Sequence, residues 1–159
     1  MQAVCGWQCA KSLGRVAVEK IEKQKIKLLK EKLKTRNEWL KTAQTAFNAF
    51  IRARDKDLPC ISCGTTKSAQ WDASHYRSVG AAPAFRFVED NCHKSCVVCN
   101  RHKSGNIFEY RLRLIKKIGI ERVEALEREP PPMKHTIENA KEIAQEYRKK
   151  LKEIKNADF

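Results

Sequence analysis

Apolar residues recur along this chain with a helical period over its first third and a strand-like alternation further on, and the change falls at Pro59. Over 19–34 the only large apolar residues are Ile21, Ile26, Leu28, Leu29 and Leu33, set among lysines and glutamates. Helix propensity is high there and the apolar stripe thin, which predicts a solvent-exposed basic helix. Over 36–54 the stripe firms up. Trp39, Ala43, Phe47, Phe50 and Ile51 return at three- and four-residue steps, as for one buried helical face. These aromatics could also stack on bases, but helical spacing favours core packing.

Two short strands are expected after Pro59. One covers about 69–76 and the other about 84–88, where Phe85 and Phe87 share a face; the small, flexible segment 78–83 joins them. A helix starts after Cys99, is interrupted near Gly105, and resumes over 107–117 with Phe108, Leu112 and Ile115 on one side and Gly119 as its stop. Pro130, Pro131 and Pro132 make a stiff linker. Thr136 then caps a final charged helix reaching about residue 155, with Ile137, Ala140, Ala144, Tyr147 and Leu151 as its apolar set. No internal repeat is present.

With 159 residues the chain has room for one modest domain with helical extensions. The expected fold class is α+β, a small core clasped by metal and flanked by long basic helices. Four segments follow: a cysteine-bearing start over 1–18, a basic helical region over 19–57, a core with its following helix over 58–119, and a C-terminal helical extension over 120–159.

Charge narrows the partners. A formal net charge of +14 and a pI near 9.6 favour a polyanion, because so much like charge repels itself unless neutralised. The basic residues are spread along the chain rather than confined to one amphipathic helix, which favours nucleic acid over an acidic membrane surface. No apolar run of about 18 residues predicts a transmembrane helix, and the N-terminus lacks the features of a secretory signal. Seven cysteines without such a signal point to a reducing cytoplasm and to metal ligation instead of disulfides.

Cys60 and Cys63 form one Cys-x2-Cys pair, and Cys96 and Cys99 form another. Four thiolates so spaced suit a tetrahedral Zn2+. A closed four-cysteine site leaves no position for substrate, so its expected use is to hold Asn100 at one side of a cleft and Ser74, His75 and Tyr76 at the other. Cys5 and Cys9 are half of a further zinc site, completed upstream, by a second chain or by nothing; a reducible pair is an equal alternative.

Strand, loop, strand and helix, clasped by zinc, with His offered from the first strand and Asn from the helix, is the layout of a ββα-metal nuclease. Phosphodiester hydrolysis needs a base to activate water and a divalent cation to stabilise the developing charge. His75 suits the base, since an imidazole titrates near neutrality. Asn100 offers a neutral oxygen suited to Mg2+ or Mn2+, and Asp72 is the nearest carboxylate that could add charge there.

The stretches 59–64, 71–77, 91–100 and 102–106 (PCISCG, WDASHYR, NCHKSCVVCN and HKSGN) closely resemble the lambdoid phage NinG/Rap recombination proteins. The likeness runs from the Trp39 helix through Gly119, and more loosely to the C-terminus. That family is similar to HNH endonucleases and to phage junction resolvases with a four-cysteine zinc followed by Asn. The resemblance implies cleavage of branched DNA, Holliday junctions and D-loops, with Mg2+ or Mn2+, inside a bacterial host cell and beside other phage recombination proteins. It also implies a further cysteine cluster upstream, of which Cys5 and Cys9 look like the final pair.

HNH-type sites place a carboxylate or His directly before the base, and here that position is Ser74. Asp72 is the proposed substitute. Residues three apart on a regular strand face opposite sides, so Asp72 joins His75 only if the strand bulges or ends there; a structural role for Asp72 is an equal alternative. Asn91 looks like the middle residue of the HNH pattern, which bonds backbone across the loop to orient the base. His93 and His102 are candidates for a metal ligand or a DNA phosphate contact, although a lone His near a zinc clasp more often packs or hydrogen-bonds. Arg77, Arg101 and Lys103 suit phosphate contacts. Cys92 reads as a small buried hydrophobe, and His135 carries no signal. Two nicks across a junction call for two active sites, so the helices over 19–54 and 136–155 could join a homodimer or pack only within one chain. The competing functions are a zinc-dependent nucleic-acid-binding module without catalysis and an adaptor for recombination proteins.

Overall fold

The computed structural model describes residues 6–157, without the side chains of residues 8–10. Cys5 and the Cys9 side chain therefore lie outside the described residues. The chain divides into two compact units, 1–37 and 38–159.

The first unit is helix α1 (Trp7–Lys32), which starts earlier than its sparse stripe suggested. Its apolar residues stay largely exposed, Val16, Ile21, Leu28 and Leu29 among them, as a thin stripe in a lysine-rich helix requires.

In the second unit, α2 (Arg36–Arg54) buries Trp39, Ala43, Phe47, Phe50 and Ile51, the face its periodicity predicted. Strands β1 (Trp71–His75) and β2 (Cys92–Cys96) pair antiparallel in unbroken register, from Trp71 opposite Cys96 to His75 opposite Cys92. Alternation sends Trp71, Ala73 and His75, with Cys92, Lys94 and Cys96, to one face; Asp72 and Ser74, with His93 and Ser95, take the other. The first face meets α2 and α5 (Ile137–Ala157): Ala73 and Cys92 pack with Phe47, Phe50 and Tyr147, whose ring lies edge-on to Phe47 at 4.8 Å. The second face meets α3 (Ile107–Ile118) and α4 (Ile120–Glu127) through Tyr76, Tyr110, Leu114, Val123 and Leu126. The class is α+β, with helices on both faces of a two-stranded sheet.

The strand expected over 84–88 does not form. Pro83 opens a 3-10 turn, Pro83–Phe85, and the second strand is Cys92–Cys96 instead. Proline cannot donate to a ladder, and the two aromatics divide between cores: Phe85 packs with the Tyr76–Tyr110 cluster, Phe87 edge-on to Phe47 at 5.7 Å. The true strand is buried along its whole length and has no apolar alternation to betray it.

The face expected on α3 is also corrected. Phe108 is 73% and Leu112 43% exposed, whereas Tyr110 and Leu114 are buried. Tyr110 can go inward because its hydroxyl donates to the Ser74 carbonyl at 2.9 Å. Gly119, at φ +88, ends α3 and turns the chain into α4, a helix the sequence reading did not separate. Thr136 caps α5 as expected, its Oγ1 accepting from the Asn139 backbone N–H at 3.1 Å. No described helix is long and apolar enough to cross a membrane.

Candidate metal centre and the residues around it

Cys60 and Cys63 sit on a tight turn that closes through Gly64 N–H to Cys60 O at 2.9 Å and Cys60 N–H to Thr65 O at 2.8 Å. Gly64 adopts φ +75, which favours glycine; a Cβ there would meet only the movable Arg113 guanidinium at 2.7 Å, so the backbone conformation selects it. Cys96 ends β2, and Cys99 follows in the helical turn Val98–His102. Ser104, Gly105 and Asn106 then take positive φ in succession, which is the interruption expected near Gly105. Ser62 Oγ ties this bend to the first cysteine turn by donating to Gly105 O at 2.8 Å.

These turns bring the four Sγ atoms within 4.8 Å of one another, with Cys63 and Cys96 at 3.8 Å. A tetrahedral zinc with sulfur ligands at about 2.3 Å has sulfur–sulfur edges of roughly 3.8 Å, so the donor set fits such an ion. Burial would raise the Cys60 thiol, yet hydrogen bonds from the Cys63, Cys96 and Ser62 backbone and the Ser95 hydroxyl draw it down to about 6. Burial and the neighbouring sulfurs push Cys99 up to about 12 and Cys96 upward too. A cation among the sulfurs would offset that repulsion and hold all four as thiolates.

The residue after the clasp reaches β1. Asn100 Nδ2 donates to Asp72 Oδ2 at 3.0 Å. Arg101 grips the same carboxylate through Nε at 2.8 Å and Nη2 at 3.1 Å, and Gln70 Nε2 donates to Oδ1 at 3.0 Å. Burial pushes the Asp72 carboxyl up, but the bonds from Arg101, Asn100 and Gln70 outweigh it and hold it below the ordinary value.

His75 is elsewhere. It lies on the opposite face of β1 from Asp72, with no bulge between them, at the strand end away from the clasp. Its ring sits 6.0 Å from that of Phe47, and Nε2 donates to the Arg86 carbonyl at 2.8 Å. A carbonyl only accepts, so Nδ1 is the bare nitrogen, 3.7 Å from Cys92 Sγ. Burial lowers the His75 pKa, which keeps the imidazole neutral at neutral pH. Asn91 pins the loop beyond His75. Fully buried, it accepts from Arg77 N–H at 2.8 Å and donates to the Arg77 and Phe85 carbonyls, each at 3.0 Å.

The remaining candidates separate. Arg101, His102 and Lys103 are exposed beside Asp72 and the clasp. Arg77 stands at the His75 end, where its Nη1 donates to the Leu126 and Glu127 carbonyls. His93 is 2% exposed and packs edge-on against the Tyr110 ring. Cys92 is buried, as expected.

The family model described as "Bacteriophage Lambda NinG protein" matches residues 1–157. The chain belongs to the NinG family. Relatives named "Protein ninG" share 56% identity over 133 residues in Escherichia phage lambda and 55% over 133 residues in Salmonella phage P22. A third, from Escherichia phage 933W, is 54% identical over 135 residues. These alignments take in 84%, 84% and 85% of this chain and 65%, 66% and 67% of the respective relatives, so the chain spans about two thirds of the NinG proteins it matches. No solved structure matches it.

Sequence reasoning missed one group in this NinG chain. Asp55 is buried and receives Arg54, the Lys94 backbone N–H at 3.0 Å and Lys117 Nζ at 3.1 Å, tying α2, β2 and α3 together beside the clasp. Charged residues at the end of a basic helix gave no signal of burial.

Proposed function

We propose that this chain is a metal-dependent endonuclease that cuts branched DNA intermediates of phage recombination, Holliday junctions and D-loops among them, in the cytoplasm of the bacterial host. The observation that carries this is the 3.0 Å contact between Asp72 and Asn100 beside the four-cysteine clasp. The Asn100 amide now presents its nitrogen to the carboxylate; turned over, it would set a neutral oxygen beside Asp72, two hard donors suited to Mg2+ or Mn2+. Arg101 now neutralises Asp72; an ion there would take over that role and release the guanidinium to a DNA phosphate. Such an ion would stabilise the charge that develops on the scissile phosphate. His75 is the base, its tautomer set by the Arg86 carbonyl and its loop pinned by Asn91. The net charge of +14 supplies the attraction for DNA. Two nicks on opposing strands call for a dimer on the junction.

One observation favours a second reading. Asp72 and His75 point from opposite faces of β1, and three strand residues span about 10 Å. A zinc-stabilised DNA-binding module, or an adaptor for recombination proteins, would not need the two to converge. Incubating purified protein and Mg2+ or Mn2+ with a synthetic four-way junction, a flap, a D-loop and linear duplex separates the readings. Metal-dependent nicks in the branched substrates support the endonuclease; a shifted but intact junction at every metal concentration supports the binding module.

A further inference from the structure

A cavity of about 270 Å3 opens between residues 55–61, β2 and the second half of α3, apart from the Asp72–Asn100 contact. Leu58, Pro59 and Ile61 give it apolar walls, and Arg113, Lys116 and Lys117 stand at its edge. Three buried polar or charged side chains line it: Asp55 is held by Arg54 and Lys117, Lys94 donates to the Lys56 carbonyl at 2.7 Å, and the third is His93.

The state of that imidazole follows from its neighbour. The single Tyr110 hydroxyl proton goes to the Ser74 carbonyl at 2.9 Å. The Tyr110 oxygen, 3.3 Å from His93 Nδ1, is therefore the acceptor of that contact, and Nδ1 carries the ring proton. Nε2 is left with a bare lone pair and no partner among the described residues. Burial and the cations of Lys117 and Arg54 depress the ring's pKa to about 3, so it stays neutral.

The cavity thus offers a hydrogen-bond acceptor at its base, apolar walls, and cations against the one carboxylate of Asp55. A bare lone pair repels phosphate oxygens, so a polar group that touches His93 must donate a hydrogen bond, as an N–H or O–H does. A nucleotide has this polarity: a flat apolar base edged with N–H donors, joined to an anion. We propose that the cavity binds one unpaired deoxynucleotide of a DNA strand, base inward with an N–H on His93 Nε2 and phosphate at the Arg113–Lys116–Lys117 edge. The source of the nucleotide rests on the reading of this chain as a protein of branched DNA. Branch points supply bases that are already unstacked, so insertion there costs least.

The test uses the full chain, zinc-loaded and 15N-labelled at histidine, without Mg2+ or Mn2+, so that cleavage plays no part. Titration with dAMP should move the His93 Nε2 resonance. Deoxyribose 5-phosphate should bind about tenfold more weakly and leave that resonance in place. His93→Phe keeps a ring against Tyr110 and should weaken dAMP about tenfold without changing deoxyribose 5-phosphate. Lys116→Ala, on the exposed edge, should weaken both and serves if His93→Phe does not fold. Equal affinity for the two probes, or a His93 resonance that dAMP does not move, would overturn the proposal in favour of a plain phosphate site. A junction with one unpaired adenine should bind more tightly than the same junction with an abasic residue there. If dAMP binds but the junctions do not differ, the assignment to a DNA strand is overturned. Absence of nicking in a separate Mg2+ assay would count against the endonuclease alone.

Discussion

Asn100 and Asp72, 28 residues apart in sequence, meet through a 3.0 Å hydrogen bond that joins the turn after the last clasp cysteine to the first strand of the sheet. The same Val98–His102 turn carries Cys99, so the cysteine cluster, the sheet and the candidate site are joined through it.

Purified protein should therefore carry one zinc per chain at Cys60, Cys63, Cys96 and Cys99. Structural zinc contributes on the order of 10 kcal/mol to folding in small domains. Stripping it with a chelator should collapse the sheet, read as loss of tertiary circular dichroism alongside elemental analysis. Protein that keeps its fold with no metal bound would contradict this.

Asp72→Asn, Asn100→Ala and His75→Ala should each lower junction cleavage by at least about 100-fold. Affinity for the junction should stay within about threefold, because under the proposed endonuclease reading these groups act on the transition state. Higher Mg2+ should partly rescue Asn100→Ala, where one ligand is missing, and should not rescue His75→Ala. Single-turnover cleavage beside gel shifts reads both quantities, and a wild-type rate in any of the three removes that residue from the site.

Asn91→Leu tests the loop clamp apart from chemistry. It strands the Arg77 N–H and the Arg77 and Phe85 carbonyls in a buried place. The expected loss is about 3 kcal/mol of unfolding free energy, measured by urea denaturation of the zinc-loaded protein. A loss under about 1 kcal/mol would mean that water reaches the loop.

Asp55 should make the fold acid-sensitive. Burial raises its carboxyl, but Arg54, the Lys94 N–H and Lys117 outweigh it and hold the folded value at about 2 against 3.8. A depressed folded pKa contributes stability above the unfolded value and loses it as pH falls toward the folded one. The contribution, about 2 kcal/mol, should vanish between pH values of roughly 5 and 2 and be missing from Asp55→Asn. His93 acts in the same direction over a higher window: it protonates near 6.5 when unfolded but only at about 3 when folded, so stability falls as pH drops between them. Urea titrations of both proteins at several pH values, corrected for acid release of zinc, isolate the Asp55 share.

DNA binding should weaken steeply with salt, since each lysine or arginine contact to phosphate releases counterions. A dissociation constant that stays flat from low to physiological salt would assign the positive charge to another partner.

Much of the fold was legible where one local rule decides. The buried face of α2 shows in the spacing of Trp39, Phe47 and Phe50, and the α5 cap shows in Thr136. The bend near Gly105 and the grouping of four cysteines into one cluster needed only residue type and spacing. Legibility failed where burial came from partners distant in sequence. β2 has no alternation because both its faces are covered, and Tyr110 looks like a surface residue until the Ser74 carbonyl takes its hydroxyl proton. Phe108, apolar and correctly spaced, stays out because α3 turns its Tyr110–Leu114 side inward.

The sequence by itself determined the clasp, the basic character, the Asn91 position and the family, since each lies in residue identity and local spacing. Tertiary structure alone decided which chemical groups meet. Unbroken register sends Asp72 to the face shared with Ser74 and His93 and turns His75 toward Phe47 and Cys92, because strand side chains alternate and no bulge resets them. It also decided that His93 would be buried against Tyr110 while lining a cavity, because its partners come from α3, distant in sequence.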